Sequence, residues 1–185
     1  MNAKPKMSSS DDELNARCRK LERQRSEEQI KWRQLDAVCR ERKDSWKLWD
    51  YLLRMRPSEE NREQIEHIQH SETIKAYARE LFELYHESAL EASKSFLRLH
   101  EISRHQFFIH KMCVSLPPAA EAAERRIALA DDLAILKPEA MELRKQMGKF
   151  TFKGADALEA YISLQKEVIN IESELLFLDT VVGST

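Results

Sequence analysis

Apolar residues recur along most of the chain at alternating spacings of three and four. After Pro5 neither Gly nor Pro occurs until Pro57, and Ser10 is followed by three acidic residues, which is typical of a helix N-terminus. The pattern predicts a long helix over residues 10–56 after a disordered tail at residues 1–9. Nine of twelve positions in a strict 4,3 register are apolar, which favours a coiled-coil helix. We label this predicted first helix α1 and call the nine residues the α1 stripe; they are Leu14, Cys18, Leu21, Trp32, Leu35, Cys39, Trp46, Trp49 and Leu53.

All three tryptophans of the chain fall on this stripe. Each indole can bury on the order of 200 Å², so the tryptophans are either anchors for a partner protein or internal packing against the second helix. A symmetric dimer is disfavoured, because indoles are larger than the side chains usual at facing core positions. The polar interruptions of the stripe are Arg25, Glu28 and Arg42.

A second long helix is expected over residues 58–114, between Ser58 and the Pro117–Pro118 stop. Further large apolar residues flank its stripe, which indicates burial against more than one neighbouring helix. The stripe itself is Ala78, Phe82, Tyr85, Ala89, Ala92, Phe96 and Leu99.

The remainder of the chain predicts two more helical segments. Residues 117–148 contain Pro138, so they form either a kinked helix or a helix pair. Residues 149–154 are expected to form a connector whose phenylalanines dock on the bundle, and residues 155–182 a coiled-coil helix. Its stripe is apolar at all eight positions: Ala157, Tyr161, Leu164, Val168, Ile171, Leu175, Leu178 and Val182.

These segments predict an all-α fold in which long antiparallel helices form an elongated coiled-coil-like bundle. The composition agrees, because 34% of residues are charged while the chain has only three glycines and five prolines. With 185 residues the chain is expected to form a single unit.

The two parts of the chain differ in charge. Residues 1–56 hold 15 Lys and Arg against 10 Asp and Glu, whereas residues 57–185 hold 15 against 22. The two parts could attract each other, or the basic first helix could contact a filament or another acidic surface. Nucleic-acid binding is disfavoured because glutamates interrupt the basic run, which comprises Arg17, Arg19, Lys20, Arg23 and Arg25.

The cysteines and the apolar segments of the chain indicate its cellular compartment. Cys18, Cys39 and Cys113 form no C-x-x-C pair or finger spacing, which indicates a reducing compartment. The first ten residues lack the apolar region of a secretory signal, and no stretch reaches about 18 uncharged apolar residues. We therefore expect no membrane contact and a cytoplasmic location, at the cytoskeleton or spindle, with the nucleus as the alternative.

Catalytic and metal-binding patterns are weak. Glu83 and His86 match the E-x-x-H unit of carboxylate-bridged di-iron bundles, but such a site needs a second unit, and the sequence has none. His67 and His70 could share zinc only with outside ligands. No nucleophile signature or phosphate-binding loop is present, so we expect no catalytic residue, no metal and no cofactor.

The expected function is that of a non-enzymatic coiled-coil subunit of a hetero-oligomeric intracellular complex. Its partners would be other coiled-coil subunits, paired with the first and last helices, and similarity of architecture alone suggests a cytoskeletal, microtubule or spindle complex in cell division. The alternative is a self-contained helical-bundle adaptor or regulator that binds a partner peptide or helix. Candidate partner-binding residues are Leu14, Leu21, Trp32, Leu35, Trp46, Trp49, Leu53, Leu164, Val168, Ile171, Leu175 and Leu178.

Overall fold

The computed structural model describes residues 9–147 and 152–183. Within these ranges the chain forms five α-helices and no strand, which confirms the all-α prediction. None of these helices has a segment long and apolar enough to cross a membrane. The helices are α1 Ser9–Arg54, α2 Arg62–His70, α3 Glu72–Val114, α4 Ala119–Met147 and α5 Phe152–Val182.

The segment expected to form one helix over residues 58–114 is divided between α2 and α3 at Ser71. The backbone of Ser71 is extended, and its hydroxyl accepts a hydrogen bond from the Ile74 N–H at 3.4 Å. A serine at this position satisfies a free amide of the following helix and competes with helix continuation. Ser71 therefore caps α3.

The short helix α2 packs against the C-terminal end of α1. Ile65 is its buried residue, and the Gln69 side-chain amide donates to the carbonyl of Met55 at 2.7 Å. The last carbonyls of a helix lack intrahelical donors. Gln69 thus satisfies a carbonyl just beyond the end of α1.

The helix α4 runs without a break through Pro138, which selects the single-helix alternative. Proline has no N–H to donate to the carbonyl four residues earlier, here that of Ala134, and Pro138 itself is exposed. The next helix begins at Phe152, so residues 152–154 are helical instead of forming the expected connector. Gly148, the rest of the connector and the docking of its phenylalanines lie outside the described residues and side chains.

Contacts between the helices give their directions. Trp32 lies against Phe96 and Trp49 against Tyr77, so α1 and α3 are antiparallel, and the ion pairs Arg126–Asp179 and Lys137–Glu172 show the same for α4 and α5. By contrast, α3 and α5 are parallel. In that pair, contacts ascend together in both helices: Phe96 with Lys166, His100 with Asn170, and Phe108 with Phe177.

The four long helices form an open row in the order α1, α3, α5, α4. Among the described residues, no Cα atom of α1 lies within 8 Å of α4 or α5, and none of α4 lies within 8 Å of α3. In a closed four-helix bundle every helix has two neighbours. Here only the two inner helices, α3 and α5, have two long neighbours, whereas α1 and α4 each have one.

The apolar core lies around the inner helices. One cluster joins α3, α4 and α5, and a second joins the middle of α3 to the end of α4 and the start of α5. Among the described side chains of α1, Glu28 alone is buried. The apolar side chains described on this helix are half-buried or exposed. The first cluster consists of Phe108, Ala122, Leu129, Phe177, Leu178 and Val181, and the second of Ala89, Met147, Ala157 and Leu158.

Candidate partner-binding groove

Aromatic pairs hold α1 against α3. The Trp46 ring stacks on Tyr85 at 5.5 Å and lies 5.0 Å from the ring of Phe82, while Trp32 lies 5.8 Å from Phe96. Aromatic pairs at such distances add about 0.5–1.5 kcal/mol each beyond the area that they bury. Each indole is thus packed in part within the chain, and the two side chains are half-buried.

Two of the three polar interruptions of the α1 stripe, Glu28 and Arg42, bind serines of α3. The Ser95 hydroxyl donates to the buried Glu28 carboxylate at 2.5 Å, and Arg42 donates to the Ser88 hydroxyl at 2.5 Å. These serines lie two turns apart. Polar groups at defined core positions specify helix register, so Glu28 and Arg42 fix where α1 lies along α3.

A groove runs over the middle of α3, between α1 and α5. It exists because both helices pack on α3 but not on each other, and its volume is about 650 Å³. The floor is made of small residues between two large aromatic ones. We call it the α3 groove; its apolar lining is Trp32, Cys39 and Trp46 from α1, Tyr85, Ala89, Ala92 and Phe96 from α3, and Leu158 and Ile162 from α5.

The α1 wall of the groove is positively charged. Lys43 and Lys47 line it, and neither has a carboxylate within 4 Å among the described residues, whereas Asp36 is paired with Arg40. The Lys43 ammonium lies 5.9 Å from the centre of the Tyr85 ring. On the opposite wall, Glu159 supplies a negative charge. The groove therefore combines an apolar floor with one basic edge.

Cys39 lies in this groove as a packed thiol. Burial, followed by the nearby Asp36 carboxylate, raises its pKa above the ordinary value. Because the thiolate is the reactive form, a raised pKa makes Cys39 a poor nucleophile. Its contacts with the second core cluster are those of a small apolar side chain.

We expect Cys39 to react slowly with a thiol reagent in the folded protein. The test is a chain in which Cys18 and Cys113 are replaced by serine, alkylated at pH 8 with and without urea. Alkylation should be several-fold faster in urea, where burial and the Asp36 charge no longer disfavour the thiolate. Equal rates, corrected for the effect of urea on a cysteine peptide, would contradict the assignment.

A second depression, of about 500 Å³, lies over α5 between α3 and α4. Charged side chains dominate its rim, and Lys137 already pairs there with Glu172 at 2.9 Å. It offers less apolar surface to a partner than the α3 groove. The α3 groove is therefore the stronger candidate.

The outer face of α4 exposes large apolar side chains beside a row of carboxylates that includes Asp131. Ile127, Ile135 and Met141 are 66, 70 and 65% exposed, and exposed alanines lie between them at Ala130 and Ala134. We call these five residues the outer stripe of α4. The helix also buries an apolar face against α5, which consists of Ala122, Leu129, Ala140 and Met147. Two opposite faces of one helix are thus apolar, and the chain covers one of them.

The structure places the predicted partner-binding residues in two different settings. Those of α1 are half-buried, and the three tryptophans among them lie against α3. Val168 and Leu178 are 5 and 3% exposed, because α5 is an inner helix between α3 and α4. The last helix therefore presents much less of its stripe to other chains than expected, and the outer stripe of α4, absent from the sequence prediction, is more accessible. The half-buried residues are Leu14, Leu21, Trp32, Leu35, Trp46, Trp49 and Leu53 on α1, and Leu164, Ile171 and Leu175 on α5.

The E-x-x-H pair does not converge on a common site. Glu83 is exposed, whereas His86 is 1% exposed and its Nε2–H donates to the Met147 carbonyl at 2.8 Å. His86 thus caps the C-terminal end of α4 from α3. Across the described ranges, no group of three or more potential metal-binding side chains lies together.

Comparison with known proteins adds no assignment. No family model, curated protein sequence or solved structure matches the chain. The functional argument therefore starts from the α3 groove and the outer stripe of α4.

Proposed function

We propose that the chain is a non-enzymatic helical adaptor subunit of a larger intracellular protein assembly, and that it binds a partner helix in the α3 groove. The observation that carries the proposal is the open row of helices, which leaves an apolar channel over α3 with indole rings along one wall. Helices bind grooves of this kind through residues spaced at i, i+3, i+4 and i+7.

The size of the groove fits one face of a helix. Its floor extends from Tyr85 to Phe96, which corresponds to about 17 Å, or three turns. Because α1 and α5 pack on α3 but not on each other, the groove is open on the side away from α3. One face of a bound helix can therefore lie on the floor while its opposite face stays in solvent, so the occupant is an amphipathic helix.

The basic edge defines the chemistry of the partner. Lys43 and Lys47 would lie beside the flank of a bound helix, so acidic residues along that flank gain attraction and basic ones are repelled. The partner is accordingly an amphipathic helix with carboxylates along the edge that faces α1. Rim charges of this kind contribute more to specificity and association rate than to affinity.

The proposal extends to the assembly that contains the chain. The 4,3 spacing of the α1 stripe and the polar contacts of Glu28 and Arg42 support a coiled-coil-like arrangement, in which other chains continue the row of helices. These features support a hetero-oligomeric assembly more than a free-standing regulator. A cytoskeletal or spindle location rests on the long-helix architecture alone.

Site-specific photo-cross-linking in the cells that make the protein tests this function. A photoreactive residue at Ile162, on the groove wall, should cross-link to a partner segment that forms an acidic-edged amphipathic helix. The same residue at the exposed Glu167, on another face of α5, should not. Lys47→Glu should reduce the cross-link several-fold, whereas Lys20→Glu, on α1 outside the groove, should leave it unchanged.

Two results would reject the groove as the binding site. One is equal cross-linking from Ile162 and Glu167, and the other is a cross-link that does not respond to Lys47→Glu. Mapping of the cross-linked segment by mass spectrometry decides whether it has the apolar spacing and the acidic edge that the groove requires.

A further inference from the structure

The α3 groove and the outer stripe of α4 are two apolar surfaces that the described part of the chain leaves uncovered. We infer that they bind each other between copies: the outer stripe of α4 in one copy docks in the α3 groove of the next. This inference rests on the proposed function, that the groove receives a helix, and it names a second copy of the chain as the source of that helix.

The lengths of the two surfaces match. Ile127 and Met141 are fourteen residues apart, which is about four turns or 21 Å. The α1 wall of the groove extends from Trp32 to Lys47, about 22 Å. A single straight helix can therefore lie along the whole groove with its exposed side chains in contact.

The shapes of the two surfaces are complementary. Ile127 and Met141 project from the stripe as large side chains, while the small side chains of Ala89 and Ala92 leave space in the groove floor between Tyr85 and Phe96. Large residues on one surface and small residues on the other allow two helices to interdigitate.

The charges of the two surfaces agree as well. Glu124, Asp131 and Glu142 are exposed and form a row between the side of α4 that carries Ile127 and Met141 and the side that carries Ile135, because spacings of seven and eleven residues return to nearly the same side of a helix. Glu142 is also paired with Lys145 at 3.2 Å. On the far side of Ile127 and Met141 lie Arg126 and Lys137, which are paired with carboxylates of α5. With Ile127 and Met141 in the groove, the acidic row lies on the side of Lys43 and Lys47 of the neighbouring copy.

Such a contact is heterologous, because the two surfaces lie on different helices. Every copy that docks its stripe still has a free groove, so the assembly grows into a ring or an open chain. A symmetric contact between two α4 stripes would stop at a dimer and leave both grooves empty. These two arrangements predict different assemblies, which makes them separable by experiment.

Analytical ultracentrifugation of the full chain, from low to high micromolar concentration, tests the inference. The weight-average mass should rise with concentration above 21.7 kDa and beyond that of a dimer. Ile127→Glu, in the stripe, and Lys47→Glu, in the groove, should each weaken assembly by about tenfold or more, because each sets a carboxylate against an apolar or acidic surface. Ile30→Glu is the control, since Ile30 is also 60% exposed but lies outside both surfaces.

A mixture of the two variants provides the decisive measurement. The Ile127→Glu copy keeps an intact groove and the Lys47→Glu copy an intact stripe, so the mixture should form a one-to-one dimer and stop there. All three positions are exposed, so the variants should retain the wild-type circular dichroism spectrum.

Three outcomes would overturn the inference. They are a monomer at every concentration, a mixture of variants no larger than either alone, and an Ile30→Glu effect as large as that of Ile127→Glu. If the chain is monomeric while Ile162 cross-links to a different protein in cells, the proposed adaptor function stands and only the self-pairing fails. If cross-linking fails and self-assembly occurs, the groove serves copies of this chain alone.

Discussion

Replacing Phe177 with alanine will lower the free energy of unfolding by about 3 to 5 kcal/mol. Phe177 is 3% exposed, and its ring stacks on Phe108 at 5.2 Å within the cluster that joins α3, α4 and α5. The Lys111 ammonium lies 5.5 Å from the same ring. Truncation therefore leaves a cavity at the point where three helices meet, and rigid neighbours can fill it only in part.

Urea unfolding followed by circular dichroism, at low protein concentration, measures this loss. The matched control is Leu176→Ala, because Leu176 precedes Phe177 in α5 but is 50% exposed. It should cost about 1 kcal/mol or less, since little of its surface leaves water on folding. If the two variants unfolded at the same urea concentration, α5 would not be an inner helix of the row.

Replacing His86 with leucine will lower the free energy of unfolding by about 1 to 3 kcal/mol. The substitution removes the donor that reaches the Met147 carbonyl, and Met147 is itself 6% exposed. A buried carbonyl without a partner loses the hydrogen bonds that it makes with water in the unfolded state. Because His86 links α3 to the end of α4, the final turn of α4 should also exchange its amide protons faster.

His110→Leu is the control for this substitution, since His110 is exposed on the same helix and should change stability little. His86→Gln keeps an N–H donor and should recover part of the loss. If His86→Leu were as stable as His110→Leu, with unchanged amide exchange in α4, the hydrogen bond would make no contribution to stability.

The sequence predicted where the helices lie along the chain far better than which helices pack against each other. The α1 stripe and the aromatic stripe of α3 were both readable from spacing, and the structure packs them together through Trp32, Trp46 and Trp49. The break at Ser71 was missed, although Ser71 followed by Glu72 is a helix-start signal. Within a long apolar repeat, a one-residue interruption leaves the spacing almost unchanged.

The position of α5 could not be read from its stripe alone. Eight apolar positions in register predicted a helix that pairs with another chain, but Leu158, Phe177 and Val181, outside that register, are also buried. A stripe wider than one seam indicates two neighbours. Which two they are depends on the direction of α4, a long-range property that spacing does not encode.

The outer stripe of α4 was missed for a different reason. Apolar residues on two opposite faces of one helix blur the periodic pattern, so the sequence alone did not indicate an exposed apolar face on this helix. Exposed Ile127, Ile135 and Met141 become informative only when the structure shows which face α5 covers.

Pro138 sets a condition on whatever covers α4. The ring leaves the oxygen of Ala134 without its helical donor, at the midpoint of the outer stripe. In an interface free of water this oxygen would cost about 1 to 3 kcal/mol. A surface that docks there must therefore bring an N–H or O–H group to that turn or retain a water molecule beside it. An entirely apolar surface would leave this buried oxygen without a hydrogen bond.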